Sequence, residues 1–383
     1  MSKKIIRRKK ASFALEPDGF SIHTFELSRR LKSTEYYAVK DLLYHQQEQS
    51  DGKPWIYKDG YGNHICVRYS DHGISSIKLK HNKSADTYFL RMVVNPRKLI
   101  DPKSSYIGIL PPEKSSIKAL KKAFVELFEG TVFENDINVY QLTRVDLCTN
   151  IRCDNKKLFR ELVRVLRKLP TPPKYERKRY KGKDKKAANR YNKHYLRFSC
   201  GTHELVIYDK TYQVENCGLA VSYEKLPEGV LRFEIHCERE YLRKVERHSG
   251  QTDTDKLLWQ LMQESKERII RHFSQCFSDT RFVQMEEIKR LVAQSAFREE
   301  NKDSMMALAS SLQRTQSVDK ALEKMEKAGY DTTNLLERFD KLGISPIPLW
   351  KNFCAKELPG PVKLLRGVSD GELPVEYLKI KQK

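Results

Sequence analysis

Tyr208 and Lys210 stand two residues apart in the run 203–215, HELVIYDKTYQVE, with acids nearby. A phenol is a weak nucleophile until a base or a cation lowers its pKa, and a lysine beside it can offset charge on a phosphorus undergoing transfer. The pair therefore suits attack on a phosphodiester. The run alternates as a strand does, with Glu204, Val206, Tyr208 and Lys210 on one side and Leu205, Ile207 and Asp209 on the other. Taken alone it reads as an ordinary strand with a half-buried tyrosine.

Two further runs change that reading. In 142–151, LTRVDLCTNI, Val145, Leu147, Thr149 and Ile151 oppose Arg144, Asp146, Cys148 and Asn150. In 230–238, VLRFEIHCE, Leu231, Phe233, Ile235 and Cys237 oppose Arg232, Glu234, His236 and Glu238. If both strands pair near the Tyr208 strand, one sheet face displays Asp146, Glu234, His236, Tyr208 and Lys210. Two carboxylates with a histidine suit Mg²⁺ or Mn²⁺, which take oxygen donors and keep positions open for a phosphate. The competing arrangement is an exposed face of cross-strand ion pairs, such as Arg232 with Asp146.

The elements that must hold these residues follow from pattern. The 383 residues suit two or three domains. A helix is expected over 28–43, turn chemistry over 51–62, and strands over 64–69, 74–80 and 88–95, the last ended by Pro96. Apolar residues at helical spacing predict helices over 117–128 and about 155–169. A short strand is expected around 219–223, between turns at 216–218 and 227–229. From 256 onward the pattern is helical: one long helix through Leu257, Leu261, Ile269 and Phe273, another over 282–297, and a pair over 317–328 and 333–342 that run to Gly329 and Gly343. Such a pair is more often a packing unit than a DNA reader. The expected fold class is α+β: an antiparallel sheet with helices packed on one face, then a helical domain. Expected boundaries are 1–59 for a basic arm and accessory region, 60–250 for the sheet domain with a basic insertion at 170–198, 255–345 for the helical domain, and 346–383 for a tail.

Lys and Arg number 72 against 50 Asp and Glu, a net charge of +22. A surplus that large points to a polyanion, of which nucleic acid is the commonest. Between 174 and 197 there are 11 Lys and Arg against Glu176 and Asp184, with tyrosines interleaved. This segment reads as an exposed excursion in which cations hold phosphates and rings stack on unpaired bases. Its expected contacts are Lys174, Tyr175, Arg177, Lys178, Arg179, Tyr180, Lys181, Lys183, Lys185, Lys186, Arg190 and Tyr191. No apolar run approaches the length of a membrane span. The eight cysteines form no CxxC pair, and no secretory signal precedes them, so reduced thiols in a cytoplasm are expected.

The three runs, in this order, resemble the rolling-circle replication initiators, above all the gene II type endonucleases of filamentous phages and the related trans-acting initiators of plasmids. The matching residues are Arg144-Val145-Asp146, Val206-Ile207-Tyr208-Asp209-Lys210 and Arg232-Phe233-Glu234-Ile235, with weaker matches at Tyr241-Leu242 and Gly329-Tyr330-Asp331. The resemblance spans about residues 60 to 345. It implies site- and strand-specific DNA nicking and rejoining that starts replication of a phage, plasmid or integrated element. Tyr208 would attack, leaving a 5′-phosphotyrosyl enzyme and a free 3′-OH. Asp146 and Glu234 would hold the Mg²⁺ or Mn²⁺, while Lys210 or Arg232 would stabilise charge on the phosphate. Origin DNA is the implied partner, with a host helicase and polymerase; a homodimer is open to it. The ten histidines contain no His-hydrophobic-His pair, so carboxylates must replace the metal clasp of the best-known rolling-circle enzymes. Tyr212 and Tyr241 remain alternative nucleophiles. Two other functions remain open: a non-catalytic DNA-binding protein, and a relaxase for conjugative transfer.

Overall fold

A computed structural model describes residues 8–50, 52–182, 184–217 and 229–378. The chain opens with β1 (Arg8–Leu31) and α1 (Ser33–Glu48). Four strands follow: β2 (Ile56–Lys58), β3 (His64–Cys66), β4 (Ile74–Asn82) and β5 (Thr87–Val94). Pro96 ends β5 and starts α2 (Pro96–Ile100), capped by the Asn95 side chain, which accepts from the Lys98 amide. In α3 (Lys114–Phe128) the predicted stripe of Ile117, Leu120, Phe124 and Phe128 is buried. β6 (Gln141–Cys153) leads to α4 (Lys156–Leu166), whose first amides are capped by Asn155. Next come β7 (Glu176–Lys178), α5 (Lys185–Tyr191), β8 (Tyr195–Ser199), β9 (His203–Asp209), α6 (Lys210–Asn216), β10 (Val230–Glu238) and α7 (Arg239–Ser249). The remainder runs α8 (Thr254–Gln263), α9 (Ser265–Cys276), β11 (Arg281–Val283), α10 (Met285–Gln294), α11 (Glu299–Arg314), α12 (Val318–Lys327), α13 (Leu335–Lys341), β12 (Glu357–Pro359), α14 (Pro361–Ser369) and β13 (Leu373–Leu378).

Eleven strands form one antiparallel sheet in the order β2-β3-β4-β5-β1-β6-β10-β9-β8-β7, with β13 also pairing β1. The fold is α+β, as the alternation predicts. On β6, β9 and β10 the apolar residues Val145, Leu147, Leu205, Ile207, Phe233 and Ile235 share one buried face. Helices α7 and α9 lie against these strands, and α8 against β1 and β6. Each large apolar side chain buried there contributes roughly 1.5–3 kcal/mol, so the face fixes the register that aims the opposite, polar face.

Several expected boundaries move. Residues 8–31, assigned to a basic arm and accessory region, are the central strand β1, set between β5 and β6. Its register shifts between Leu15/Phe20, Ile22/Thr24 and Glu26/Leu27 break the period-two pattern, which hides the strand in the sequence. The helix expected from 28 starts at Ser33, because residues 28–31 still pair with β5. The long helix through 257–273 is two, α8 and α9, divided at Glu264. Residues 281–283 are strand β11 rather than the start of a helix. The tail beyond 346 contributes β12, α14 and β13, the last pairing with β1. α8 and α9, assigned to the helical region, pack against β1 and β6 of the sheet. The basic segment 174–197 is not an excursion, since β7 and β8 extend the sheet beyond β9. The short strand around 219–223 and the turn at Gly218 lie outside the described residues.

Candidate functional site

The register brings the three runs together. On β10, Arg232 lies opposite Tyr208 of β9 and Asn150 of β6, while His236 lies opposite Glu204 and Asp146. Asp146, Glu234, His236 and Tyr208 therefore share one face, and Lys210 follows at the end of β9. The face is closed: Tyr208 is 4% exposed and Glu234 is also 4% exposed. The Tyr208 hydroxyl donates to Glu234 Oε1 at 2.8 Å. Burial, with the Glu234 charge behind it, pushes the phenol well above its ordinary pKa. The proton thus rests on Tyr208, and the phenol is not pre-ionised by a cation; Glu234 is placed as its acceptor.

Glu234 is held by two imidazoles, His236 Nε2 at 2.9 Å and His23 Nδ1 at 3.4 Å. Burial alone would raise its pKa, but these contacts outweigh it and keep the carboxyl well below the usual range. His236 also meets Glu204 at 3.1 Å through Nδ1. Burial opposes its charge, yet Asp146, Glu204 and Glu234 push it up to about 10, so it is an imidazolium at neutral pH. His23 goes the other way, to about 4, through burial and the cations Arg232 and Lys210.

Arg232 is fully buried. Its Nε donates to Asn150 Oδ1 at 2.6 Å and its Nη2 to the Ile107 carbonyl. Nη1 lies 3.6 Å from Glu234 Oε1 and has no hydrogen-bond acceptor among the described residues. The competing cross-strand pair of Arg232 with Asp146 does not form, because the register sets Arg232 opposite Asn150, four residues from Asp146. Asp146 instead takes Arg144 Nε and Nη2 at 2.7 and 2.8 Å and the Thr24 hydroxyl. Lys210 is buried at the start of α6. Its amine donates to Gln213 Oε1 at 2.8 Å, and burial beside Arg232 depresses its pKa far below the ordinary value. The amine also lies 5.9 Å from the centroid of the Tyr208 ring, so Lys210 and Arg232 both stand beside Tyr208.

The three residues expected to hold Mg²⁺ or Mn²⁺ are engaged by protein groups in this arrangement. Asp146 is spanned by Arg144, Glu234 by Tyr208 and two imidazoles, and both His236 nitrogens face carboxylates. Among the described residues, no group of three or more His, Cys, Asp and Glu side chains is arranged to hold a metal ion. Mg²⁺ or Mn²⁺ would have to displace Arg144 and His236 first.

The basic segment divides. Tyr175 and Arg177 turn inward: the Tyr175 hydroxyl meets His203 Nε2 at 2.7 Å, while Arg177 donates to the Arg167 and Leu169 carbonyls and stacks over Phe198. They brace the fold rather than face solvent. Lys174, Lys178, Arg179, Tyr180, Lys181, Lys185, Lys186 and Arg190 are exposed, Lys178 paired with Glu176. Lys183 lies outside the described residues. Tyr180, Tyr191, Tyr195 and Tyr208 form a stair of rings, with centroids 5.1, 5.1 and 5.6 Å apart, from the surface to the buried face.

The two alternative nucleophiles stand elsewhere. Tyr241 meets Arg268 at 2.7 Å and His272 at 3.2 Å, both on α9. Tyr212 stacks flat on His194, 3.6 Å between centroids, and His194 in turn bonds Asp209.

Residues missed in the sequence are His23, Thr24, Ile107, Glu204 and Gln213. Glu204 carried a legible signal, the same side as Tyr208. His23 did not, because the β1 bulge between Ile22 and Thr24 takes it out of alternation. The Ile107 carbonyl, which accepts from Asn150 Nδ2 at 2.6 Å as well as from Arg232, is a backbone group with no side-chain signature. No helix among the described residues is long and apolar enough to cross a membrane. No family model matches this chain, and no curated protein sequence matches it.

Proposed function

We propose that this chain nicks and rejoins DNA through Tyr208, starting rolling-circle replication of a phage, plasmid or integrated element. The observation that carries the reading is the contact of the Tyr208 hydroxyl with Glu234 beside Arg232 Nη1, which lies 3.6 Å from the same carboxylate oxygen. Around them stand the carboxylates Asp146, Glu204, Glu234 and Glu238 and the cations Arg144, Arg197, Arg232 and His236. In the reaction, Glu234 accepts the phenolic proton as the Tyr208 oxygen bonds phosphorus. The P–O3′ bond breaks, and the proton passes from Glu234 to the departing 3′-oxygen. Arg232 Nη1 meets the charge that develops on the phosphate. Rejoining is the reverse. No step is routed through a metal.

A second reading, a DNA-binding protein without catalysis, is favoured by the burial of Tyr208. One experiment separates them. The pure protein is incubated with supercoiled DNA carrying its own gene and flanks, with Mg²⁺, with Mn²⁺ and with EDTA, and products are resolved on a denaturing protein gel. Labelled DNA attached to protein and lost in Tyr208→Phe supports nicking, and the EDTA arm decides metal dependence. Binding without nick or adduct, in a preparation shown to be folded and to bind DNA, overturns it.

A further inference from the structure

Outside the Tyr208 face, a cleft of about 460 Å³ opens between the β7–β8 ribbon and the C-terminal end of α4. Among the described residues five cations line it, Arg167, Arg177, Lys178, Arg179 and Lys193, together with the amides of Asn189, Asn192 and Gln316, and no Asp or Glu does. Two of these cations are committed, Arg177 to backbone carbonyls and to Asp319 at 3.7 Å, and Lys178 to Glu176. Arg167, Arg179 and Lys193 have no carboxylate partner among the described residues. Arg167 is half-buried, and burial with Arg164 nearby lowers its pKa, so its charge lacks a counter-ion in the folded chain. Neutral amide donors between unmatched cations are the lining that a run of phosphates requires.

The aromatic stair begins here. Asn192, in the cleft wall, exchanges two hydrogen bonds with the Tyr180 backbone, at 2.9 and 3.0 Å. Tyr180 is 56% exposed at the rim, and Tyr195 lines the cleft while its ring meets Tyr208.

We infer that this cleft holds the backbone of single-stranded DNA, with Tyr180 as a stacking platform at its rim, and that it leads the strand to Tyr208. The inference rests on the proposed nucleic-acid function but not on the chemistry at Tyr208. A cleft walled by cations and rimmed by an exposed ring accepts a strand whose bases are unpaired, whereas duplex DNA presents phosphates alone to it.

The test is fluorescence anisotropy of a labelled oligodeoxythymidine and a same-length duplex with the full chain, compared with Arg179→Ala/Lys193→Ala and Tyr180→Ala. The altered side chains are exposed, and unchanged thermal melting confirms the fold. Each lost cation should flatten the salt dependence of single-strand affinity by about 0.7 in log–log slope, so the double variant loses about 1.4 and binds roughly tenfold more weakly at low salt. Tyr180→Ala should weaken single-strand binding about tenfold with the slope intact, as loss of one stacked base does. Unchanged single-strand affinity and slope in the double variant, or a duplex bound more tightly than the single strand, overturns the cleft. Adduct formation by the unaltered protein, scored separately against Tyr208→Phe, tells failure of the cleft from failure of nicking.

Discussion

The His236 imidazolium gives the sharpest handle on the buried face. Its pKa is pushed up to about 10 by Asp146, Glu204 and Glu234, against burial, from an ordinary 6.5. A group whose folded pKa is raised contributes stability that is fully present below its unfolded pKa and is lost as pH rises through the folded one. The window is therefore about pH 6.5 to 10, and within it stability should fall by roughly 1.4 kcal/mol per pH unit from this group alone. Between pH 7 and 9 that is on the order of 2–3 kcal/mol. Other buried groups also act there: the thiols of Cys148 and Cys237, pushed up by burial, and Lys210, pushed down. They are common to wild type and His236→Gln, so the difference in slope isolates His236. The assay is urea unfolding of both proteins across this range, and the wild type should lose stability more steeply. Equal slopes would refute the assignment of a charged His236. Should His236→Gln fail to fold, the His236 ring signal in the wild-type proton spectrum serves instead; a titration midpoint near 6.5 refutes the same reasoning.

Three further outcomes follow from the geometry. Tyr208→Phe removes a hydrogen bond to a buried carboxylate and should cost about 1–3 kcal/mol in urea unfolding while abolishing the covalent adduct and leaving DNA affinity intact. Glu234→Gln keeps the shape but removes the proton acceptor, so nicking should slow by about 10²–10⁴-fold with binding unchanged; a rate within a few-fold of wild type would exclude Glu234 as the base. Arg232→Met strips the donors from Asn150 and the Ile107 carbonyl and leaves Glu234 short of a buried cation. It should destabilise the fold by about 3–5 kcal/mol, read as a lower urea midpoint, whereas loss below about 1 kcal/mol would show the buried guanidinium to be dispensable.

What the sequence reveals of this molecule, and what it conceals, divides along physical lines. β6, β9 and β10 are buried on both faces, yet large apolar residues are concentrated on the face packed by α7 and α9, and that alternation puts Asp146, Glu234, His236 and Tyr208 together on the other. β1 is illegible because three register shifts interrupt its period, and His23 is lost with it. Partner choice is illegible too. Arg144, not Arg232, takes Asp146, a matter of register that spacing within one strand leaves open. The basic segment announces itself by charge alone, and charge does not say which cations are consumed by backbone carbonyls, as Arg177 is.

The burial of Tyr208 bears on catalysis through the cost of uncovering it. The Arg232 end of the polar face is covered by the loop carrying Ile107, whose side chain packs with Val214 and Val230 and whose carbonyl accepts from Asn150 and Arg232. Releasing that carbonyl gives up one neutral and one charge-assisted hydrogen bond, together about 2–4 kcal/mol net. A phosphate reaching Arg232 replaces the charge-assisted one with an ionic contact of at least equal strength. What is left is the neutral bond and a small apolar contact, a cost of the order that remote binding of a DNA strand readily offsets. A closed face in the DNA-free chain is therefore the expected resting state of a nicking site that must keep water from a phosphotyrosyl bond, and the closure argues as well for a gated tyrosine as for an inert one.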